Sequence, residues 1–220
     1  MSNRTIQWGG VAGMTFVVLI LITIFGVSQP PAADDVIDKI RSYLVDNRSA
    51  LLLFNALGLF AIPFVLWFAV VLRDVLRGDA TSNALGTASF AGLLVTAPMA
   101  LAGSAVSVAP LYLDGAARTL SDDTLRLAFE AQNLLFAATS AGIVLFALGA
   151  ALAIQRTRAL PAYTMWLAAL AVVGNVLTMF ATLGAGAAAL GLAGVLTFAL
   201  FILVTGITMA AGKATPAAVT

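Results

Sequence analysis

The chain has 220 residues, of which 61% are hydrophobic and 10% charged, with a mean hydropathy of +1.04 and a net charge of +1. That composition lies far outside soluble domains and marks an integral membrane protein embedded in a lipid bilayer, while the near-zero net charge gives no electrostatic footprint for nucleic acid. With no His and no Cys, the chain lacks the ligands for bis-His haem, thiolate zinc and iron–sulfur clusters, so no cofactor is expected.

The same absence removes Ser/His and Cys/His nucleophile pairs. Lys39 and Lys213 sit outside the apolar runs, where neither can serve a Schiff base or a Ser/Lys dyad within the bilayer. No catalytic constellation remains, and the chain is not expected to be an enzyme.

Six apolar runs, roughly 6–28, 50–72, 85–108, 126–154, 162–182 and 187–210, each come close to the ~20 residues a helix needs to cross about 30 Å of hydrocarbon. The expected fold is all-α, one domain over residues 1–220 with six transmembrane helices. The first run, "VAGMTFVVLILITIFGV", is longer than an ordinary signal-peptide core, and "SQPPAAD" makes a poor cleavage site, so it reads as a retained helix. After it, "DDVIDKIRSYLVDNR" sets Val36 or Ile37, Ile40 and Leu44 at helical spacing between charges. This predicts a short amphipathic helix over about 35–47 on the outer face, capping the bundle. A solvated acidic hairpin is the alternative.

Pro63 and Pro98 fall inside the second and third runs, where kinks are expected rather than breaks, because neighbouring helices can satisfy the freed carbonyls. In "TLSDDTLRLAFE", Ser121 is an N-cap candidate with Asp122 and Asp123 in the first turn, so the fourth helix begins outside the bilayer. Asp34-Asp35 and Asp122-Asp123 each precede a helical stretch and then an Asn, a faint echo between the first and second hairpins. Gly9 with Gly13, Ala138 with Gly142, and Ala187 with Gly191 form small-xxx-small patterns that bring membrane helices close.

The order "YLVDNRSALLLFNALGLF…LWFAVVLRDVLR", "AFEAQNLLFA", "LPAYTMWLAALAVVGNV" resembles a large group of six-helix membrane proteins from high-GC bacteria, filed as a domain of unknown function. The resemblance covers roughly residues 40–210. It implies the six-helix architecture and carries no activity and no catalytic residues.

Polar residues inside the runs are the candidate site. On the fourth helix Glu130, Asn133, Ala137 and Ser140 share a face; on the fifth, Asn175, Thr178 and Thr182 do; Thr96, Gly103, Ser104 and Ser107 share one on the third, and Asn55 sits on the second. At 1.5 Å per residue, Asn55, Ser104, Asn133 and Asn175 all come within about 5–15 Å of the outer surface. Glu130, Asn133, Asn55, Asn175, Thr178 and Ser104 are therefore the candidate ligand-binding residues, for a small polar molecule, a cation or a lipid headgroup. The competing reading makes them interhelical glue in a structural or accessory protein that partners a larger membrane assembly. The inner halves are almost wholly apolar, which argues against a channel.

Orientation follows from the loops. "QRTRALP" is purely basic, whereas the loops on the other side dilute their cations among seven aspartates, Asp34, Asp35, Asp38, Asp46, Asp114, Asp122 and Asp123. Trp8, Trp67 and Trp166 all fall at the basic ends. Both features place the N- and C-termini in the cytoplasm of a plasma-membrane protein. Because the chain has no cysteine, Ser121→Cys should react with an impermeant thiol reagent applied outside the cell and Thr157→Cys should not; the reverse pattern overturns the orientation.

Overall fold

The computed structural model describes residues 1–28, 30–31, 35–112, 116–181 and 187–215. Asp34, Asp114 and Thr182 fall outside these, as does the side chain of Ala187. Eight helices are present among the described residues: α1 (Asn3–Phe25), α2 (Ile37–Asp46), α3 (Arg48–Val75), α4 (Ala80–Tyr112), α5 (Ala116–Thr119), α6 (Asp122–Thr157), α7 (Ala162–Ala181) and α8 (Ala187–Ala210). Six of them are long and apolar enough to cross a membrane, and α2 is the expected short amphipathic helix.

Each spanning helix packs on its neighbours in sequence, and α8 returns to pack on α1, so the spans form a closed ring in the order α1, α3, α4, α6, α7, α8. Six crossings put both ends of the chain on one face, called here the terminal face; α2 and α5 lie on the opposite, cap face. Both of the first two hairpins carry a short helix between their spans, α2 between α1 and α3, and α5 between α4 and α6.

Helix lengths differ from the apolar runs for local reasons. The first span stops at Phe25, with Gly26 closing its last turn onto the Ile22 carbonyl. By contrast α4 and α6 have 33 and 36 residues, about 50 and 54 Å at 1.5 Å per residue, well beyond the hydrocarbon thickness. Ser121 does cap α6, accepting from the Thr124 amide. The chain stays helical through Pro63 in α3 and through Pro98 and Pro110 in α4, as lipid demands when every unpaired backbone group is costly.

The seams between spans depend on glycine. An added Cβ at Gly92 of α4 would meet the backbone of Gly142 and Phe146 on α6, and one at Gly149 would lie 2.8 Å from the Ser89 amide nitrogen. Between those points the Ser89 hydroxyl donates to the Phe146 carbonyl at 2.9 Å. Gly10 meets Gly206 across the α1–α8 seam, while Gly9 and Gly13 lie against Val71 and Phe68 of α3. A Cβ added at Gly191 would meet nothing within 4 Å among the described residues, and it is Gly194 that approaches Gly174 and Thr178 across α7–α8. A helix supplies several small residues at equivalent spacing, and only the crossing point decides which is used.

Behind these seams the interior of the terminal half is filled by aromatic rings. Phe146 meets Phe198 edge-on with centroids 5.9 Å apart and Phe201 at 5.8 Å, and Phe16 meets Phe198 at 6.1 Å. Phe146–Phe201 is tilted at 53°, while the two edge-to-face pairs contribute about 0.5–1.5 kcal/mol each beyond the area they bury. On this face Asp79 caps α4, its Oδ1 accepting from the Ser82 amide at 2.8 Å, and Arg156 at the end of α6 donates to Oδ2 at 2.8 Å. Hydrogen bonds from the Ser82 side chain and amide, then from Arg156, hold the Asp79 carboxyl well below the usual carboxylate range.

Gly92→Ala should destabilise the bundle by about 1–3 kcal/mol, because its Cβ would strike backbone that cannot swing aside. Gly191→Ala should be neutral or stabilising by up to about 1 kcal/mol, having open space and a better helix former. Denaturation of both variants in the same detergent micelles tests this; equal effects would show that the seam is not fixed by close approach.

Candidate functional site

Polar side chains gather toward the cap face, and their geometry begins with three arginines. Arg48, in the first turn of α3, donates through Nε to the Leu111 carbonyl at 2.9 Å and through Nη2 to Tyr112 at 3.4 Å, satisfying carbonyls that the end of α4 leaves free. Arg41 of α2 donates to the carbonyls of Ala117 and Leu120 and pairs with Asp122 at 2.7 Å, bridging the end of α5 and the start of α6. Arg126 of α6 donates to the Asp35 carbonyl at 3.1 Å. Arg48 and Arg41 serve the carbonyls at the ends of α4 and α5, whereas Arg126 reaches a carbonyl just before α2.

Beneath the arginines α2 buries Ile40 and Leu44, 0% and 5% exposed, in a small apolar cluster with Leu111, Ala117, Leu125 and Phe129. The predicted amphipathic helix is therefore seated on the bundle through the two residues whose spacing announced it. The large aromatic core lies toward the terminal face. Between the two clusters packing thins: no residue of α3 from Arg48 to Phe60, and none of α6 from Glu130 to Thr139, is buried.

Asn55 and Ser104 lie at similar depth in this interval. Counting seven residues along α3 from Arg48 and seven back along α4 from Leu111 puts both about 10.5 Å below the arginine contact. Ser104 is buried and Asn55 half-buried. Gly103 packs on Leu135 and Phe136, which brings α6 to the same level.

Asn133 and Glu130 turn elsewhere. From the Leu135 and Phe136 side that faces α4, Asn133 is rotated by roughly 110° and Glu130 by roughly 170° around α6. Glu130 stands on the azimuth of Leu148, five turns below, and both are exposed. The azimuth of Asn133 is covered at Ala151 and uncovered at Asn133 itself. Arg126 is 4.0 Å from Glu130, a loose i,i+4 contact in which both side chains are open to solvent, so it adds little stability.

Asn175 and Thr178 belong to a third place. Asn175 is 1% exposed, and its amide donates to the Ala171 carbonyl at 2.9 Å on its own helix and to the Gly194 carbonyl at 3.1 Å on α8. Thr178 donates to the Gly174 carbonyl at 3.0 Å on the same seam. The six candidate residues thus divide into Asn55 and Ser104 at one depth on α3 and α4, the exposed Glu130 and Asn133 on α6, and a pair inside the α7–α8 seam.

Among the described residues no group of three His, Cys, Asp or Glu side chains is placed to hold a metal ion. Comparison with protein-family models, with curated proteins and with solved structures finds no match to this chain.

Replacing Asn175 by Leu should cost about 0.6–2 kcal/mol, the range for an interhelical hydrogen bond in a membrane protein. Thermal unfolding in detergent measures it; an unchanged midpoint would show that the amide contributes nothing to the α7–α8 seam.

Proposed function

We propose that this membrane protein is a structural or accessory subunit of a larger membrane assembly, held in the plasma membrane with both termini in the cytoplasm. The observation that carries this reading is the separation of its polar groups. Asn175 and Thr178 are engaged in a helix seam, whereas Glu130 and Asn133 are exposed near the cap-side end of the apolar stretch of α6, Glu130 on the outward azimuth of Leu148 and Asn133 at the edge of the buried face. An acid and an amide side by side on an exposed surface offer directional contacts to a neighbouring membrane protein, in a setting where apolar surface alone gives no preference over lipid. The basic terminal face and the exposed Trp8, Trp67 and Trp166 support the proposed orientation.

One observation favours a second reading, a binding or transport protein for a small molecule, a cation or a lipid headgroup. Asn55 and Ser104 lie at one depth on the adjacent helices α3 and α4, in the loosely packed interval below the cap, where a ligand could replace missing side-chain contacts.

Paired variants separate the two. Under the accessory reading, Glu130→Gln and Asn133→Leu leave the unfolding of the isolated chain within about 0.5 kcal/mol of the parent. In mild-detergent extracts of native membranes, each variant moves the chain from a high-mass species toward its own mass on native gels. If the parent chain already migrates alone in those extracts, the accessory reading fails. Under the second reading, Asn55→Leu abolishes ligand-dependent thermal protection while the α6 pair is silent.

A further inference from the structure

The terminal face holds a groove that none of the foregoing uses. It lies between α1 and α8 as an open depression of about 370 Å³, lined by Arg4, Gln7, Trp8, Val11 and Ala210. Four of these five come from one helix at i, i+3, i+4 and i+7, the spacing of a single α-helical face. Along that face the chemistry is graded: a guanidinium at the membrane edge, then an amide and an indole, then an aliphatic side chain about 10.5 Å deeper at 1.5 Å per residue. Val18, Ile22 and Phe25 continue the exposed apolar track toward the cap face. The groove is shallow because Gly10 and Gly206 bring the backbones of α1 and α8 into contact at its floor.

The cations of this face divide into engaged and unengaged ones. Arg156 pairs with Asp79 at 2.8 Å, Arg77 with Asp74 at 3.3 Å, and Arg73 donates to the Thr87 hydroxyl at 3.3 Å. Among the described residues Arg4, Arg158 and Lys213 have no such partner, and of these three Arg4 lines the groove. The loops and ends of this face bring together Arg4, Arg73, Arg77, Arg156, Arg158 and Lys213 against two acids, Asp74 and Asp79. An anion is therefore attracted here, and a groove that is polar at one end and apolar along the rest suits a molecule with both characters.

We propose that the α1–α8 groove is a binding site for one anionic phospholipid of the adjoining leaflet. Arg4 and Gln7 hold its phosphodiester, Trp8 packs at the glycerol level, and an acyl chain lies along Val11. A guanidinium donates two parallel hydrogen bonds to phosphate oxygens, and an indole belongs at the headgroup boundary. This inference is independent of the accessory reading, since it concerns lipid at the opposite face from Glu130 and Asn133.

Trp8 reports on the site directly once Trp67→Phe and Trp166→Phe leave it as the sole tryptophan. The full chain is reconstituted in phosphatidylcholine vesicles doped with phosphatidylglycerol brominated on its acyl chains, or with brominated phosphatidylcholine at equal mole fraction. The phosphatidylglycerol should quench Trp8 as though enriched about fivefold beside it, the gain expected from roughly one favourable basic contact at the surface. Arg4→Gln should bring quenching down to the phosphatidylcholine level, whereas Arg158→Gln on the same face should leave the preference in place. Equal quenching by the two lipids overturns the proposal. So does equal loss in the Arg4 and Arg158 variants, which would mean general surface charge, and so does displacement by inorganic phosphate at constant ionic strength, which would mean a site for a free anion.

Discussion

Close approach of helix backbones is the constraint on which this structure depends. In lipid, apolar side chains gain nothing by leaving hydrocarbon for one another, so association rests on van der Waals contact and on hydrogen bonds between helices. The α4–α6 seam shows both, with Gly92, Gly142 and Gly149 removing the side chains that would hold the backbones apart and the Ser89 hydroxyl reaching the Phe146 carbonyl. Since α4 and α6 are the longest helices and extend beyond the hydrocarbon, their seam also sets the platform on which α2 and α5 rest.

Polar groups follow a division of labour that comes from depth. Within the spans, Asn175 and several Thr side chains, Thr178 among them, donate to carbonyls of their own or the neighbouring helix. At the cap face, where water competes, the work passes to Arg41, Arg48 and Arg126, whose charge-assisted bonds to carbonyls lose less to solvent than neutral ones would. At the terminal face the main link is the capped and paired Asp79. The two faces are thus fastened differently: one by cations satisfying backbone, the other by an acid at a helix N-terminus.

The site candidates illustrate how far a face can be read without its neighbours. Helical periodicity correctly groups Asn175 with Thr178 and Glu130 with Asn133 on their own helices, because 100° per residue is a property of the chain alone. It cannot say whether two such faces look at each other. The Arg48–Leu111 contact brings Asn55 and Ser104 to one depth. Glu130 does not look toward α4, because Leu135 and Phe136 turn the opposite side of α6 to it.

What the sequence by itself determined is what hydrophobicity and spacing encode: membrane class, six spans, the N-cap at Ser121, and the amphipathic α2 with Ile40 and Leu44 on its buried side. These depend on the cost of placing each residue in lipid or water, a cost paid locally. Only the tertiary structure decided the closure of the ring by α8 on α1, the choice of Gly194 over Gly191 as a contact, the binding of Arg41 and Arg48 to distant carbonyls, and the groove at Arg4 and Ala210. Each of those needs two segments far apart in the chain to meet at one register and one rotation, and neither quantity is written in a single helix.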